Sequence, residues 1–373
     1  MKIINTGVQY EIYADDLKSY DKLPAGYYSV KFQQMRGFYL EKHNELIVLE
    51  NKIYGQHMDK VEKIVKSFQQ FQRNLGVILS GDKGIGKSMC CRLLGIRMVE
   101  IQVPVIIVDS FIPGIGAFLE KIDQEVMVLF DEFDKTYGKT ANASDGEDPQ
   151  TYLLSIFDGV SAGKKLFVIT CNDINKLNGF LINRPGRFHY HLRFSYPTAE
   201  NIKMYLEDKL EEQYYDQIEN VIKFSKKVSL NYDCLRAICF ELNNGIEFSN
   251  AILDLNILNV SDERYRVMIY FEDGTIYQKK NERIDMFDDE KKTIYLQNSK
   301  GEYAADFIFN PADAYVNNMT GEMMIGVPDV ELTYDDYDCS DEENKKREKE
   351  LKGKIVKYVT LSREGTRQLH YVV

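Results

Sequence analysis

The densest chemical signal in the chain lies in eight residues, Gly81-Asp82-Lys83-Gly84-Ile85-Gly86-Lys87-Ser88, which read G-x-x-x-x-G-K-S. Such a loop cradles phosphates. Its glycines let successive backbone N–H groups turn inward as an anion nest, and the N-terminus of the following helix adds positive potential. Lys87 is then placed to reach a β- or γ-phosphate, and the Ser88 hydroxyl to ligate Mg²⁺. An apolar run, Gly76-Val77-Ile78-Leu79, leads into the loop, and a helix-compatible run leads out from Met89.

A second stretch, Val126-Met127-Val128-Leu129-Phe130-Asp131-Glu132, is apolar until it ends in two carboxylates. Ligands of α/β sheets collect at the carboxyl ends of strands. Asp131 is therefore expected to face the glycine-rich loop and hold the hydration shell of Mg²⁺ beside Ser88. Glu132 is expected to take a proton from the water that attacks the γ-phosphate. A third apolar run, Lys165 to Cys171, closes on Asn172. That amide either orients the attacking water or touches the γ-phosphate; an asparagine ending a strand also serves simply as a turn former.

Elements that position these groups are legible around them. A helix is expected from about Met58 to Phe71, with Val61, Ile64, Val65, Phe68 and Phe71 on one face. Pro104-Val105-Ile106-Ile107-Val108 reads as a buried parallel strand. Alternating strands and helices imply a doubly wound α/β sheet. Residues 1–50 read as a small β-rich cap, with strands at Tyr27–Phe32 and Gly37–Leu40.

Composition bounds the class. With 373 residues, 44% hydrophobic and 28% charged, the chain is an ordinary globular protein of two or three domains. A net charge of −11 argues against a generally basic nucleic-acid-binding surface, though not against a local basic pore. No apolar run approaches the ~20 residues that span a bilayer, and the N-terminus lacks a signal-peptide core, so a cytoplasmic protein is expected. The six cysteines contain no C-x-x-C pair and read as reduced thiols. His189 and His191 alternate on an expected strand and read as structural.

With these residues in hand, the chain resembles the AAA+ ATPases, and their AAA clade in particular. The likeness rests on GDKGIGKS, VMVLFDE, the run Tyr152–Val160 (YLLSIFDGV), Ile169-Thr170-Cys171-Asn172, and Asn183-Arg184-Pro185-Gly186-Arg187-Phe188, in that order. Their spacing over roughly residues 50–260 is similar to that of AAA-clade members, including the mitochondrial Rieske-protein translocase. Overall composition is similar to that of ATPases carried by large bacteriophages, which would place the protein in the host cytoplasm. The resemblance implies ATP and Mg²⁺ as ligands, with Lys87 and Ser88 as Walker A, Asp131 and Glu132 as Walker B, and Asn172 as sensor 1. It also implies nucleotide contacts from Tyr54, Gly55 and Met89 beside the loop residues Gly81 to Ser88. Arg184 and Arg187 would be arginine fingers reaching a neighbouring subunit, which implies a homo-oligomeric ring, a hexamer. The sensor 2 position is open: Arg236 is either a lid arginine or a helix-surface residue.

The segment Phe111, Ile112, Pro113, Gly114 falls where the family places pore loop 1; the other reading is a buried turn leading into a helix. Lys135 to Asp148 resembles the second pore loop by position. A helical lid is expected over 198–260, with Thr198 as N-cap, after a large ATPase subdomain over 51–197. From Ser261 the pattern alternates with period two, and three hairpins imply a C-terminal antiparallel β domain over 261–373. The third hairpin is expected to turn at Arg363-Glu364-Gly365. The acidic run Tyr334 to Glu343 reads either as a solvated loop or as a docking segment.

Three functions fit. The favoured one is a ring-forming ATPase that remodels or threads a protein, with a protein substrate or adaptor as partner. The second is a DNA-directed AAA+ ATPase of replication or packaging, in which nucleic acid is the partner. The third is an assembly protein switched by ATP.

Overall fold

The computed structural model describes residues 2–5, 10–13, 18–43, 54, 57–138, 149–158, 163–257, 264–288, 290–317, 320–336 and 339–364. Gly55, residues 139–148 of the expected second pore loop, Gly159, Val160 and the expected strand at 368–373 lie outside them. Chain contacts divide the molecule into two units: Met1–Tyr205 with Asn231–Asp233, and Leu206–Leu230 with Cys234–Val373.

In the first unit a two-stranded hairpin, β1 (Lys2–Asn5) and β2 (Tyr10–Tyr13), precedes β3 (Tyr27–Gln33) and β4 (Gly37–His43). Then follow α1 (His57–Gln70), β5 (Leu75–Ser80), α2 (Lys87–Glu100), β6 (Val105–Val108), α3 (Ile115–Glu120) and β7 (Val126–Phe130). The unit continues through α4 (Phe133–Thr136), α5 (Leu154–Phe157), β8 (Lys165–Cys171) and β9 (Tyr190–Arg193).

Seven strands form one sheet in the order β4-β3-β6-β7-β8-β5-β9. All neighbours are parallel except the β3–β4 pair. Continuous apolar runs suit this sheet because both faces are covered. Val77 and Leu79 on β5, Met127 and Leu129 on β7, and Leu166 and Val168 on β8 pack into one core with α1 and α2. Their sequence neighbours Ile78, Val128, Phe130, Phe167 and Ile169 pack into the core on the opposite face. Two strands of the expected N-terminal cap are part of this sheet: Tyr27, Tyr28 and Ser29 pair in parallel with Val105, Ile106 and Ile107. A pairing across more than 70 residues leaves no local sequence signal, so the sequence pattern alone sets 1–50 apart as a cap although β3 joins the sheet.

The second unit begins within α6 (Ala199–Lys209), where the Thr198 hydroxyl accepts from the Asn201 N–H at 3.3 Å, as expected of an N-cap. Helices α7 (Ile218–Lys227), α8 (Tyr232–Asn243) and α9 (Phe248–Asp254) follow. The antiparallel strands are β10 (Arg264–Phe271), β11 (Ile276–Arg283), β12 (Lys292–Gln297), β13 (Tyr303–Phe309), β14 (Tyr315–Val316), β15 (Met323–Ile325), β16 (Glu331–Thr333) and β17 (Val356–Arg363). They make an eight-stranded sheet in the order β14-β15-β17-β10-β11-β12-β13-β16.

Two details of this unit differ from the sequence reading. Arg363 ends β17, paired with Tyr265, instead of starting a turn. The second part of the acidic run is not a loop: α10 (Asp341–Lys352) starts at Ser340 with a complete capping box to Glu343. The reciprocal Ser–Glu bonds satisfy two backbone donors and nucleate the helix despite its charge density.

Candidate nucleotide site

The glycine-rich loop joins β5 to α2 at the carboxyl edge of the sheet. Gly86 caps α2 with φ +99°, a left-handed conformation that a Cβ would strain. At Gly81 a Cβ would come 2.5 Å from both the Phe194 carbonyl and Ile85 Cδ1, so the close packing of the loop on the chain after β9 needs glycine there too. Lys87 folds over this loop. Its Nζ donates to the Gly81 carbonyl at 2.6 Å, the Asp82 carbonyl at 2.5 Å and Asn172 Oδ1 at 2.9 Å. Burial pulls the ammonium below its ordinary range, opposed by Cys171 and then by the carboxylates Asp82, Asp134 and Asp131. Ser88 is exposed at the first turn of α2, and Met89 packs against the core beneath.

The two carboxylates follow β7 directly, and both are tied to β8 through one hydroxyl. Thr170 Oγ1 donates to Asp131 Oδ1 at 2.6 Å and accepts from the Glu132 N–H at 2.8 Å. Glu132 has φ +48° and ψ +47°, unusual for a residue with a side chain. This turn ends the strand abruptly and starts α4. The Glu132 carboxylate pairs with Lys135 at 2.9 Å, and that hydrogen bond holds its pKa below the usual carboxylate value. Hard oxygen donors at Ser88 and Asp131 are the set Mg²⁺ accepts while keeping most of its water.

Two residues of this region were not singled out by the sequence. Thr170 stands in the quoted T-x-N run, yet its bridging of two strands becomes visible only when β7 and β8 pair. Asp134 is 5% exposed and accepts from the Asp173 N–H at 3.1 Å through Oδ2, which braces the backbone just after Asn172. Its Oδ1 is buried with no protein partner.

Tyr54 is buried, with its ring 5.0 Å from Tyr205 and 6.2 Å from Tyr232. The Tyr232 N–H donates to the Gly84 carbonyl at 3.2 Å, and the Asn231 side chain donates to the Lys83 carbonyl at 3.3 Å. Asn231 and Tyr232 therefore touch the glycine-rich loop, and Tyr54 and Tyr205 pack against Tyr232.

Arg184 and Arg187 sit on a turn seated against β5, with the His189 N–H donating to the Gly76 carbonyl at 2.8 Å. The two arginines differ. Arg187 grips Asp158 of its own chain with Nε and, at 2.7 Å, with Nη2; its Nη1 donates to the Phe180 carbonyl at 2.8 Å. Arg184 is exposed, its guanidinium 5.5 Å from the Phe180 ring. In the expected pore segment, Phe111 is half-buried and packs edge-on against Tyr137 at 5.5 Å; Pro113 and Gly114 are the exposed residues.

The β5–β9 region, with its phosphate loop and acidic strand end, matches a known family. Residues 77–196 match the model for the ATPase family associated with various cellular activities (AAA). That stretch is similar to an AAA domain. The match begins inside β5 and ends just past β9, so it covers the glycine-rich loop, Asp131, Glu132, Asn172 and both arginines. No curated protein matches the chain at a significant level. An AAA ATPase domain accounts for the parallel sheet and implies nucleotide binding. Among the described residues, no helix is long and apolar enough to cross a membrane.

Proposed function

We propose that the chain assembles into a ring, a hexamer, and couples ATP hydrolysis to remodelling or threading of a protein substrate. The observation that carries this reading is the contrast at the arginine turn. Arg187 is held within its own chain, while Arg184 stays exposed beside Phe180, available to a neighbouring subunit. A guanidinium supplied in trans makes turnover depend on assembly.

In this reading the backbone N–H groups of 81–88 hold the phosphates, and Lys87 exchanges its loop carbonyls for phosphate oxygens. Ser88 and Asp131 would hold Mg²⁺, which would supply charge neutralisation at the phosphates. Glu132 accepts the proton of the attacking water after leaving Lys135, and Asn172 positions that water or the γ-phosphate. Tyr54 and Tyr232 contribute to the base-binding wall. Pro113 and Gly114 present the substrate-gripping tip, with Phe111 as its packed base. A cytoplasmic setting fits this role; the compositional likeness to bacteriophage ATPases supports a host cytoplasm.

The test is to measure ATP turnover with an unfolded protein, with single-stranded DNA and with double-stranded DNA. Stimulation several-fold by unfolded protein and not by DNA is the expected result. Stimulation by DNA alone would replace this reading with a DNA-directed motor.

A further inference from the structure

The second unit holds a cleft of about 550 Å³, walled by α7, the start of α9, the segment after β11 and β14. That volume suits a small ligand or two or three side chains of a partner. Its floor is aromatic. The Phe224 ring meets Phe248 edge-on at 5.5 Å and lies 6.1 Å from Phe287. Phe287 is 45% exposed, so this floor opens to solvent.

One wall is cationic. Lys223, Phe224 and Lys227 all line the cleft from α7, at the spacing that puts three residues on one helix face. Lys227 Nζ lies 5.5 Å from the centre of the Phe287 ring. Burial lowers the affinity of this amine for its proton, and no acid opposes the shift. Among the described residues neither lysine lies within ion-pair distance of a carboxylate, although the chain has 58 acidic residues against 47 basic. A half-buried ammonium beside aromatic rings is costly to keep charged and gains most from an incoming anion. Glu247, just before α9, is the one carboxylate among the lining residues, against two lysines.

We infer that this cleft is a docking site for an acidic peptide segment of a protein partner, one that carries an aromatic or large aliphatic anchor. The anchor would enter between Phe248 and Phe287, and a carboxylate beside it would bind Lys223 and Lys227. This placement is remote in sequence from the ATPase motifs, so it does not depend on the reading of the nucleotide site.

The experiment uses the full chain and three fluorescein-labelled synthetic peptides. One has alternating Asp/Glu with a central Phe and Leu, one replaces Phe and Leu by Ser, and one replaces the acids by Lys. Fluorescence anisotropy should give binding of the first in the micromolar range, and at least tenfold weaker binding of the other two. Lys223→Glu with Lys227→Glu should weaken the first peptide at least tenfold, and Phe287→Ser should weaken it severalfold. Basal ATP turnover of these variants should stay within twofold of wild type, which also shows that they fold. Equal binding of all three peptides, no binding of the first up to millimolar concentration, or unchanged binding by the charge-reversed variant would each overturn the inference.

Discussion

Replacing Thr170 by valine removes one hydroxyl and keeps nearly the same shape. That hydroxyl makes two bonds, one to Asp131 at 2.6 Å and one from the Glu132 backbone at 2.8 Å. Thr170 is 2% exposed, so water cannot readily take its place. A hydrogen bond to a carboxylate contributes about 1.5–3 kcal/mol, and a buried N–H left without an acceptor costs about 1–3 kcal/mol. If the loss of the carboxylate bond falls on the transition state, turnover drops about 10- to 150-fold, at tenfold per 1.4 kcal/mol. The orphaned Glu132 N–H falls on stability instead. For a unit of roughly 200 residues it lowers Tm by about 3–10 °C. Steady-state ATPase assays, nucleotide-binding titrations and thermal melts separate these effects. Thr170→Val should lose kcat at least tenfold while nucleotide Kd stays within about threefold, and Thr170→Ser should recover most of both losses. Turnover by the valine variant within twofold of wild type would refute the reasoning, as would a serine variant as impaired as valine.

Arg184→Ala and Arg187→Ala should separate: the first should abolish turnover with Tm unchanged, and the second should lower Tm by several degrees because Asp158 loses its bidentate partner. Equal melting losses in the two would show that Arg184 is also bound within its own chain. Asp134→Asn keeps an acceptor for the Asp173 N–H and should stay within about 1 kcal/mol of wild type by denaturant titration, while Asp134→Ala should lose about 1–3 kcal/mol. Burial pushes the thiols of Cys90, Cys171 and Cys239 up to about 12, so at pH 8 only about one molecule in 10⁴ is thiolate. Thiol titration of the native protein at pH 8 should leave these three unreacted for hours, whereas Cys234 and Cys339, each half-exposed, should react first. Raising the pH toward 10 should speed the buried thiols only through the thiolate fraction, about tenfold per pH unit.

Much of the α/β unit is legible in the sequence because its signals are local. A glycine-rich loop, an apolar run ending in two acids and a 3.6-residue apolar stripe each declare themselves within a few residues. The relationships that organise the site are not local. Thr170 meets Asp131 across paired strands, and Arg187 finds Asp158 at 29 residues' distance. β3 joins the sheet beside β6, far along the chain. Such contacts are properties of the assembled sheet and have no counterpart in periodicity. The helix α10 was a different case, since Ser340 and Glu343 spell a capping box in the sequence itself. Its run of charges reads as a solvated loop unless that three-residue spacing is given its weight.

The central claim is a site completed by a neighbouring subunit in an ATP-driven ring. Sedimentation velocity and ATP turnover of Glu132→Gln, with and without Mg²⁺ and ATP, test it most directly. ATP should convert this variant into a species of about six chains while turnover falls at least a hundredfold. A variant that binds ATP yet stays monomeric, or one that turns over at the wild-type rate, would contradict it.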